Sequence, residues 1–173
     1  MMPSGDLSRL HLRPTPLTVD AFAPFGTLLV HDPAEARAVN AGTAWRTDVD
    51  APEGRDGEAT AALAIFRLAP QILPLAVELF ERHPRSEQSF AALTVEHFLV
   101  VVAPSDRDGL PDPAGARAFL GRRGTALRYG VGQWHAPMIA LDAGGDMLML
   151  AFERRDGGDT VEHRLASPLF IAT

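Results

Sequence analysis

The sequence predicts a mainly β protein, a small antiparallel barrel with an internal cavity and only a few short helices. Its 15 glycines and 14 prolines are spread over 173 residues in short turn-forming clusters. Between the clusters lie runs rich in Val, Ile, Leu and Phe, at intervals of roughly 8 to 12 residues. Short strands at such intervals are typical of β-sandwiches and barrels. The length predicts one domain over residues 1–173.

Five apolar runs define the predicted strands. Residues 63–66 form a short strand, and residues 75–80 alternate in a way that suits a half-buried strand at least as well as a helix. Residues 98–103 are apolar without alternation and β-branched at the centre, which predicts a strand covered on both faces. Residues 138–141 and 147–152 flank a loop with two glycines, and this pattern predicts a hairpin.

The remaining elements are predicted from turn and capping signals. A second hairpin is expected to turn at residues 156–158, which contain two glycines. Thr18 is the expected N-cap of a helical turn over residues 19–22, and Pro24 ends it. A second short helix is predicted over residues 114–120, because a proline precedes it and a glycine follows it.

Composition excludes several classes of function. The net charge of −6 gives nucleic acid no electrostatic reason to bind. There are no cysteines for thiolate chemistry, and all 16 basic residues are arginines, which removes lysine Schiff bases. The longest apolar runs have six residues, whereas a membrane span needs about 20. Residues 1–13 lack the apolar block of a secretory signal, so we expect a cytoplasmic protein without membrane contact. Residues 1–8 are expected to be flexible, because they are polar and have few large apolar side chains.

The first candidate site is the polar segment 81–88, Glu-Arg-His-Pro-Arg-Ser-Glu-Gln, which follows an apolar strand. The spacing of His83 and Gln88 suits a strand, turn and strand in which both side chains point into the cavity. Glu87 could add a carboxylate there. The structural alternative is that His83 is a turn residue whose ring nitrogen is satisfied locally.

The second candidate site is segment 130–137, Gly-Val-Gly-Gln-Trp-His-Ala-Pro. The glycines allow a close approach, Trp134 offers an apolar wall, and His135 begins the next strand. An imidazole can accept and return a proton near neutral pH, or bind a metal in its neutral form. Two histidines that converge would therefore form a site, whereas the structural alternative makes His135 and Trp134 core residues.

An arginine is the residue type expected to hold a substrate carboxylate, because its guanidinium can bind both oxygens. Arg46, Arg67 and Arg82 lie nearest to apolar segments, although each could equally be a surface residue. The sequence contains no dinucleotide-binding glycine pattern, no P-loop and no G-x-S-x-G nucleophile elbow. Nicotinamide redox chemistry and phosphoryl transfer are therefore not expected.

In order and spacing, the motifs resemble those of the ureidoglycolate lyase family, a divergent branch of the cupin β-barrels. The central segment, from Phe66 and Arg67 to Glu81-Arg82-His83-Pro84 and Gln88, is the most specific part. The other matching segments are residues 17–26, 40–46, 73–75, 98–104, 117–120 and 132–137. The chain departs from the family in residues 90–96, which lack a proline and a glycine, and at Ala136, where many members have a second histidine.

The resemblance implies a cupin-like antiparallel barrel, or jelly roll, that cleaves ureidoglycolate to glyoxylate and urea in allantoin degradation. It implies His135 as the acid and base, with His83 and Gln88 in the same pocket, where ordinary cupins have metal ligands. Arg67 is the expected carboxylate ligand, with Arg46, Trp134 and Glu87 as further substrate contacts. The alternatives are a cupin enzyme for another small hydroxy acid and a binding module without turnover.

The resemblance also bears on metal and assembly. The family implies a divalent ion such as Ni²⁺, which His83 and His135 would hold, but a proton-transfer mechanism needs no ion, and two nitrogens are fewer than a metal cupin provides. We therefore predict no tightly bound metal. Cupins pair sheet edges, so a homodimer is expected.

Overall fold

The computed structural model describes residues 10–54 and 57–172. In chain order its strands are β1 (His11–Leu12), β2 (Thr15–Pro16), β3 (Gly26–Leu28), β4 (Arg37–Val39), β5 (Ala44–Arg46), β6 (Thr60–Leu68), β7 (Leu75–Arg82), β8 (Gln88–Ala92), β9 (His97–Ala103), β10 (Arg117–Arg122), β11 (Ala126–Tyr129), β12 (Trp134–His135), β13 (Ile139–Ala140), β14 (Gly145–Glu153) and β15 (Val161–Ile171). Helix α1 spans Val19–Phe22, and short 3-10 turns span Asn40–Gly42 and Pro113–Gly115.

The strands form two large sheets and one small ribbon. The first sheet has the order β1-β15-β7-β12-β9-β10-β2, with β13 also paired to β9. The second has the order β3-β11-β8-β14-β6, and β4 pairs with β5. Pairs β1–β15 and β2–β10 are parallel and the others are antiparallel. The mainly β, cupin-like prediction is confirmed.

Most predicted elements are confirmed. The runs 63–66 and 147–152 lie within the longer strands β6 and β14, and residues 75–80 are in a strand, β7. Thr18 caps α1, since its hydroxyl oxygen accepts a hydrogen bond from the Ala21 N–H at 3.3 Å. Residues 1–9 lie outside the described ranges, so the expected flexibility of residues 1–8 stays a prediction. Within the described ranges, no helix is long and apolar enough to span a membrane.

Three local predictions are wrong. Residues 114–120 form no α-helix: the proline starts only a 3-10 turn, and β10 then pairs with β9, because sheet pairing outweighs weak helix propensity. The runs 138–141 and 147–152 make no hairpin, since β13 pairs with β9 and β14 pairs with β6 and β8. Nor does the turn at 156–158 make one, because β14 and β15 belong to different sheets.

Strand β9 lies at the centre of the core, as its unbroken apolar run predicts. Phe98, Val100 and Val102 belong to a buried cluster that includes residues of both large sheets. Leu99 and Val101, on the other face of the strand, belong to a second buried cluster within the first sheet. A strand buried on both faces gives a rigid support for the short strand β12 that pairs with it.

The two sheets meet where the polar segments lie. In the first sheet, β12 is wedged between β7 and β9, and its His135 lies opposite Glu81 of β7. In the second sheet, Gln88 at the start of β8 lies opposite Tyr129 at the end of β11. The turn of residues 83–87 carries the chain from β7 to β8, so it crosses from one sheet to the other. These two cross-strand pairs face each other and form the site.

Candidate active site

His135 joins the two sheets through its ring. The ring is 2% exposed and stacks on Tyr129, with 4.0 Å between ring centroids and 9° between ring planes. Its Nδ1–H donates to the Gln133 carbonyl oxygen at 2.9 Å. Its Nε2 lies 3.1 Å from Gln88 Oε1 and 3.4 Å from Glu81 Oε1. A protonated ring satisfies these acceptors, whereas a neutral ring requires the Gln88 amide to turn and donate.

His83 follows the end of β7 and has one free ring nitrogen. Its Nδ1–H donates to the Asp159 carbonyl oxygen at 3.2 Å. Its Nε2 is buried and has no hydrogen-bond partner in the described part of the chain. The His83 and His135 rings are 5.6 Å apart between centroids. Because Nδ1 holds the proton in a neutral ring, Nε2 keeps a lone pair that no described group uses.

A cavity of about 270 Å³ opens beside these groups. Glu81, His83 and Gln88 line it, whereas His135 lies behind them and contacts two of them. Arg154, just after β14, is the one arginine among the described residues that line the cavity. Its guanidinium donates to Asp156 through two hydrogen bonds of 2.9 and 3.0 Å, and to the exposed Glu58 at 2.8 Å. The lining of the cavity therefore includes polar side chains and one arginine.

Burial and charge set the ionisation of the cluster. The hydrogen bond with His135 lowers the pKa of Glu81 below its ordinary value, against the opposing effect of burial, so the carboxylate is ionised at neutral pH. Burial, assisted by the charge of His135, lowers the pKa of His83, so its ring is neutral there. Burial raises the pKa of Tyr129, which stays a neutral phenol. The site thus pairs a fixed negative charge with a neutral imidazole.

The same donors fit a divalent metal ion. One carboxylate oxygen of Glu81 and one nitrogen each of His83 and His135 lie within 4.8 Å of one another. Both histidines use Nδ1 for a backbone carbonyl, which is the outer-shell arrangement that directs Nε2 to a metal. The unpartnered Nε2 of His83 is the atom that such an ion would satisfy. Imidazole and carboxylate together suit ions such as Zn²⁺, Ni²⁺ or Fe²⁺.

The structure brings together the three predicted catalytic residues His83, Gln88 and His135, but it places the predicted arginines elsewhere. Arg67 lies on β6, its side chain is 80% exposed, and it pairs with Asp146, through Nη2 at 2.9 Å. It lines a separate groove of about 520 Å³ between β6, β7 and β13. Arg46 lies on the small ribbon and pairs with Asp48 at 2.5 Å. Neither arginine lines the cavity of the histidines.

Trp134 and Glu87 also point away from this cavity. Trp134 precedes His135 on the same strand, so its side chain lies on the opposite face, where its indole N–H donates to the Gly109 carbonyl at 3.1 Å. The Arg82 guanidinium stacks on this indole at 4.6 Å. Glu87 accepts the Glu53 N–H at 2.9 Å and faces Arg128 at 3.6 Å. Ala136 is buried in the second cluster, so its side chain points away from His135.

The sequence analysis assigned no role to three residues that form the site, Glu81, Tyr129 and Arg154. Glu81 could have been found, because it lies two positions before His83 and alternation along a strand puts both on one face. Tyr129 and Arg154 carry no such local signal. Tyr129 reaches His135 across the sheets, and Arg154 reaches the cavity from the connection after β14.

Comparison with known proteins shows the family of the chain. The profile of the ureidoglycolate lyase family matches residues 9–172. The chain is 36% identical to ureidoglycolate lyase of Agrobacterium fabrum strain C58, over 91% of this chain and 93% of that protein. It is 39% identical to that of Rhizobium etli strain CIAT 652, over 90% and 92%. A dTDP sugar isomerase structure from Desulfovibrio desulfuricans G20 aligns with a TM-score of 0.45 and 15% identity, over 83% of each chain. The chain belongs to the ureidoglycolate lyase family.

Proposed function

We propose that this chain cleaves ureidoglycolate to glyoxylate and urea, as a lyase of allantoin degradation. Membership of the family supports the reaction. The observation that supports it most directly in this chain is the buried, unpartnered Nε2 of His83, a residue that lines the cavity. This reaction needs a group that takes a proton from a hydroxyl and returns one to a leaving nitrogen.

The proposed reaction is balanced within the substrate. His83 Nε2 accepts the proton of the hydroxyl on the central carbon, the carbonyl of glyoxylate forms, and the bond to the urea nitrogen breaks. The same Nε2–H then protonates the leaving nitrogen, so that urea departs and the imidazole is neutral again. No water and no oxidant are consumed. Desolvation of His83 favours the neutral ring at the start of the cycle.

His135 and Gln88 complete the proposed catalytic group. In place of the acid–base role expected from the resemblance, this proposal gives His135 a positioning role, because it lies behind the cavity wall and its Nε2 contacts Gln88 and Glu81, which both line the cavity. The ionised Glu81 carboxylate, beside the His135 ring, can stabilise the positive charge arising on His83. Gln88 offers an amide that can donate to, or accept from, the substrate at the same wall.

Arg154 takes, in this proposal, the carboxylate-binding role that the sequence assigned to Arg67. Glu81, Glu153 and Asp159 also line the cavity, so an anionic substrate needs a cation there. The ion pair of Arg154 with Glu58 is weak, because the Glu58 side chain is largely exposed to solvent. A substrate carboxylate can replace Glu58 while Asp156 keeps the guanidinium oriented.

A divalent ion would change the role of His83. Glu81, His83 and His135 would hold the ion, and when bound it would act as a Lewis acid toward the oxygens of the substrate. Nε2 of His83 cannot bind a metal and accept a proton at the same time. The ligand role and the proton-transfer role therefore exclude each other.

Glyoxylate release from ureidoglycolate by purified protein tests the proposal, before and after dialysis against EDTA. We expect release in both samples, because the proton-transfer route uses only groups of the chain. Release that is lost after EDTA and restored by Ni²⁺ would assign His83 to the ligand role instead. If a folded, Ni²⁺-supplied protein releases no glyoxylate, the proposed reaction is refuted, and another hydroxy acid or simple binding becomes the better explanation.

The proposed enzyme is a cytoplasmic homodimer that pairs through β6. This nine-residue edge strand pairs only with β14 among the described strands, and Arg67 is its only charged residue. Leu63 and Ile65 are 69% and 58% exposed on one face of it. Long apolar edge strands tend to pair with another chain. Antiparallel pairing of two copies about Ala64 would place Leu63 opposite the partner's Ile65 and cover both.

Ile65→Glu is expected to convert the dimer to a monomer, because it would bury a charge in the new strand pair. Light scattering coupled to size-exclusion chromatography measures the mass directly. Val19→Glu, at an equally exposed apolar position on α1, is the control and should stay dimeric. A dimer that survives Ile65→Glu would show that the copies pair through another surface.

A further inference from the structure

The connection between β14 and β15 contains a buried carboxylate beside the site, Asp159, which is 6% exposed. Its Oδ1 accepts the Arg85 N–H at 2.9 Å, and its Oδ2 accepts the Ser86 hydroxyl at 2.5 Å. Its backbone carbonyl oxygen accepts the Nδ1–H of His83 at 3.2 Å. One residue therefore contacts three positions of the turn that separates His83 from Gln88.

We infer that Asp159 is a positioning residue that fixes the ring of His83 and the turn after it. The inference rests on the proposed role of His83 in catalysis. Hydrogen bonds to an ionised carboxylate are shorter and stronger than those between neutral groups, so the Asp159 side chain holds the backbone at Arg85 and the hydroxyl of Ser86 firmly. Those contacts keep the Asp159 carbonyl oxygen within reach of the His83 ring.

The carbonyl contact decides which ring nitrogen carries the proton. A carbonyl oxygen only accepts, so the Nδ1 of His83 must be the protonated nitrogen and Nε2 must carry the lone pair. In the opposite tautomer, Nε2 would carry the proton and the Asp159 carbonyl would lose its donor. Asp159 thus prepares His83 to accept a proton before the substrate binds.

The same contacts determine where strand β8 begins. Ser86 is 2% exposed and lies two residues before Gln88, which opens β8 and reaches His135. A shift of the turn would move Gln88 and His83 together. The effect of losing Asp159 should therefore reach both walls of the cavity, although Asp159 itself moves no proton in the proposed reaction.

The test compares Asp159→Ala, Asp159→Asn and the unchanged protein. Nitrogen NMR of the ¹⁵N-labelled histidine rings reports the tautomer of His83 without any substrate. Asp159→Ala should give a mixture of tautomers at His83 and lower kcat for glyoxylate release by roughly 10- to 100-fold, with a smaller change in KM. Asp159→Asn keeps an oxygen that can accept the Arg85 N–H, so it should retain the Nδ1–H tautomer and most of the activity.

Asp142→Asn is the matched control, because Asp142 also accepts a hydrogen bond from a histidine, His97, on an exposed part of the fold. It should change neither the His83 signals nor the rate. If Asp159→Ala does not fold, Ser86→Ala, which removes one of the two side-chain contacts, takes its place and should weaken the tautomer preference partly. A fixed Nδ1–H tautomer in every folded variant would overturn the inference. Because the NMR signals need no turnover, a protein inactive on ureidoglycolate could still confirm the role of Asp159.

Discussion

Replacing His83 by alanine is expected to lower kcat for ureidoglycolate cleavage by roughly 10²- to 10⁴-fold, the range typical of a lost acid–base group. The Nε2 atom is buried and unpartnered, His83 lines the cavity, and no other imidazole among the described residues lines it. Steady-state glyoxylate release, with thermal unfolding as a check of structure, measures the effect. KM should change less than kcat, because proton transfer is needed mainly in the transition state.

Three further variants separate chemistry from structure. His83→Asn keeps an amide that can donate to the Asp159 carbonyl but cannot act as a base, so it should be as inactive as the alanine variant. His135→Ala should also be nearly inactive, because it removes the partner of Gln88 and Glu81. His97→Ala, at an exposed histidine outside the cavity, should be fully active. An active His83→Asn enzyme would show that the ring serves only to hold the turn.

Replacing Arg154 by alanine is expected to lower kcat/KM for ureidoglycolate by roughly 10- to 100-fold, mostly through KM. A hydrogen bond to a charged group contributes about 1.5–3 kcal/mol, and each 1.4 kcal/mol corresponds to about a factor of ten. Loss of the guanidinium should also let the pKa of Asp156, which hydrogen bonds from Arg154 lower to about 2, return toward its ordinary value. Substrate kinetics measure the first effect and carboxyl NMR measures the second.

The Arg67→Ala variant, measured alongside Arg154→Ala, decides which of the two arginines binds the substrate carboxylate. Arg67 lines the separate groove between β6, β7 and β13, so its loss should leave KM close to normal. Arg123→Ala, which breaks an exposed pair with Glu96, controls for the loss of one positive charge. A large rise in KM for Arg67→Ala, together with an unaffected Arg154→Ala, would place the substrate carboxylate in the separate groove.

The strands could be predicted because their signal is local. The unbroken apolar run predicted a strand covered on both faces, and β9 is buried on both. The alternating run 75–80 predicted a strand, and it lies in β7. The hairpin predictions failed at β13 and β14 because a glycine loop shows that the chain turns, but not which strand it pairs with afterwards. The helix predicted over residues 114–120 failed for a related reason, since pairing of β10 with β9 is a long-range contact.

The candidate site was predictable to the extent that strand spacing determines it. His83, Gln88 and His135 were identified from two short segments, and the structure brings them together. The sequence also contains the reason why Trp134 lies apart from the site: neighbours on a strand point to opposite faces, so its side chain faces away from that of His135. The arginine could not be chosen from sequence, because Arg46, Arg67 and Arg82 lie nearest to apolar segments, whereas Arg154 lines the cavity only in the tertiary structure.

The sequence by itself determined that this protein is mainly β, that it belongs to a lyase family, and that its chemistry uses oxygen and nitrogen groups. Each of these depends on composition, on periodicity along one strand, or on motifs in a fixed order. Only the tertiary structure decided that Glu81 joins the histidines, that Arg154 lines their cavity and that Asp159 holds His83. Those contacts connect residues of different sheets or far apart in the chain, and such distances follow from packing, which no local pattern specifies.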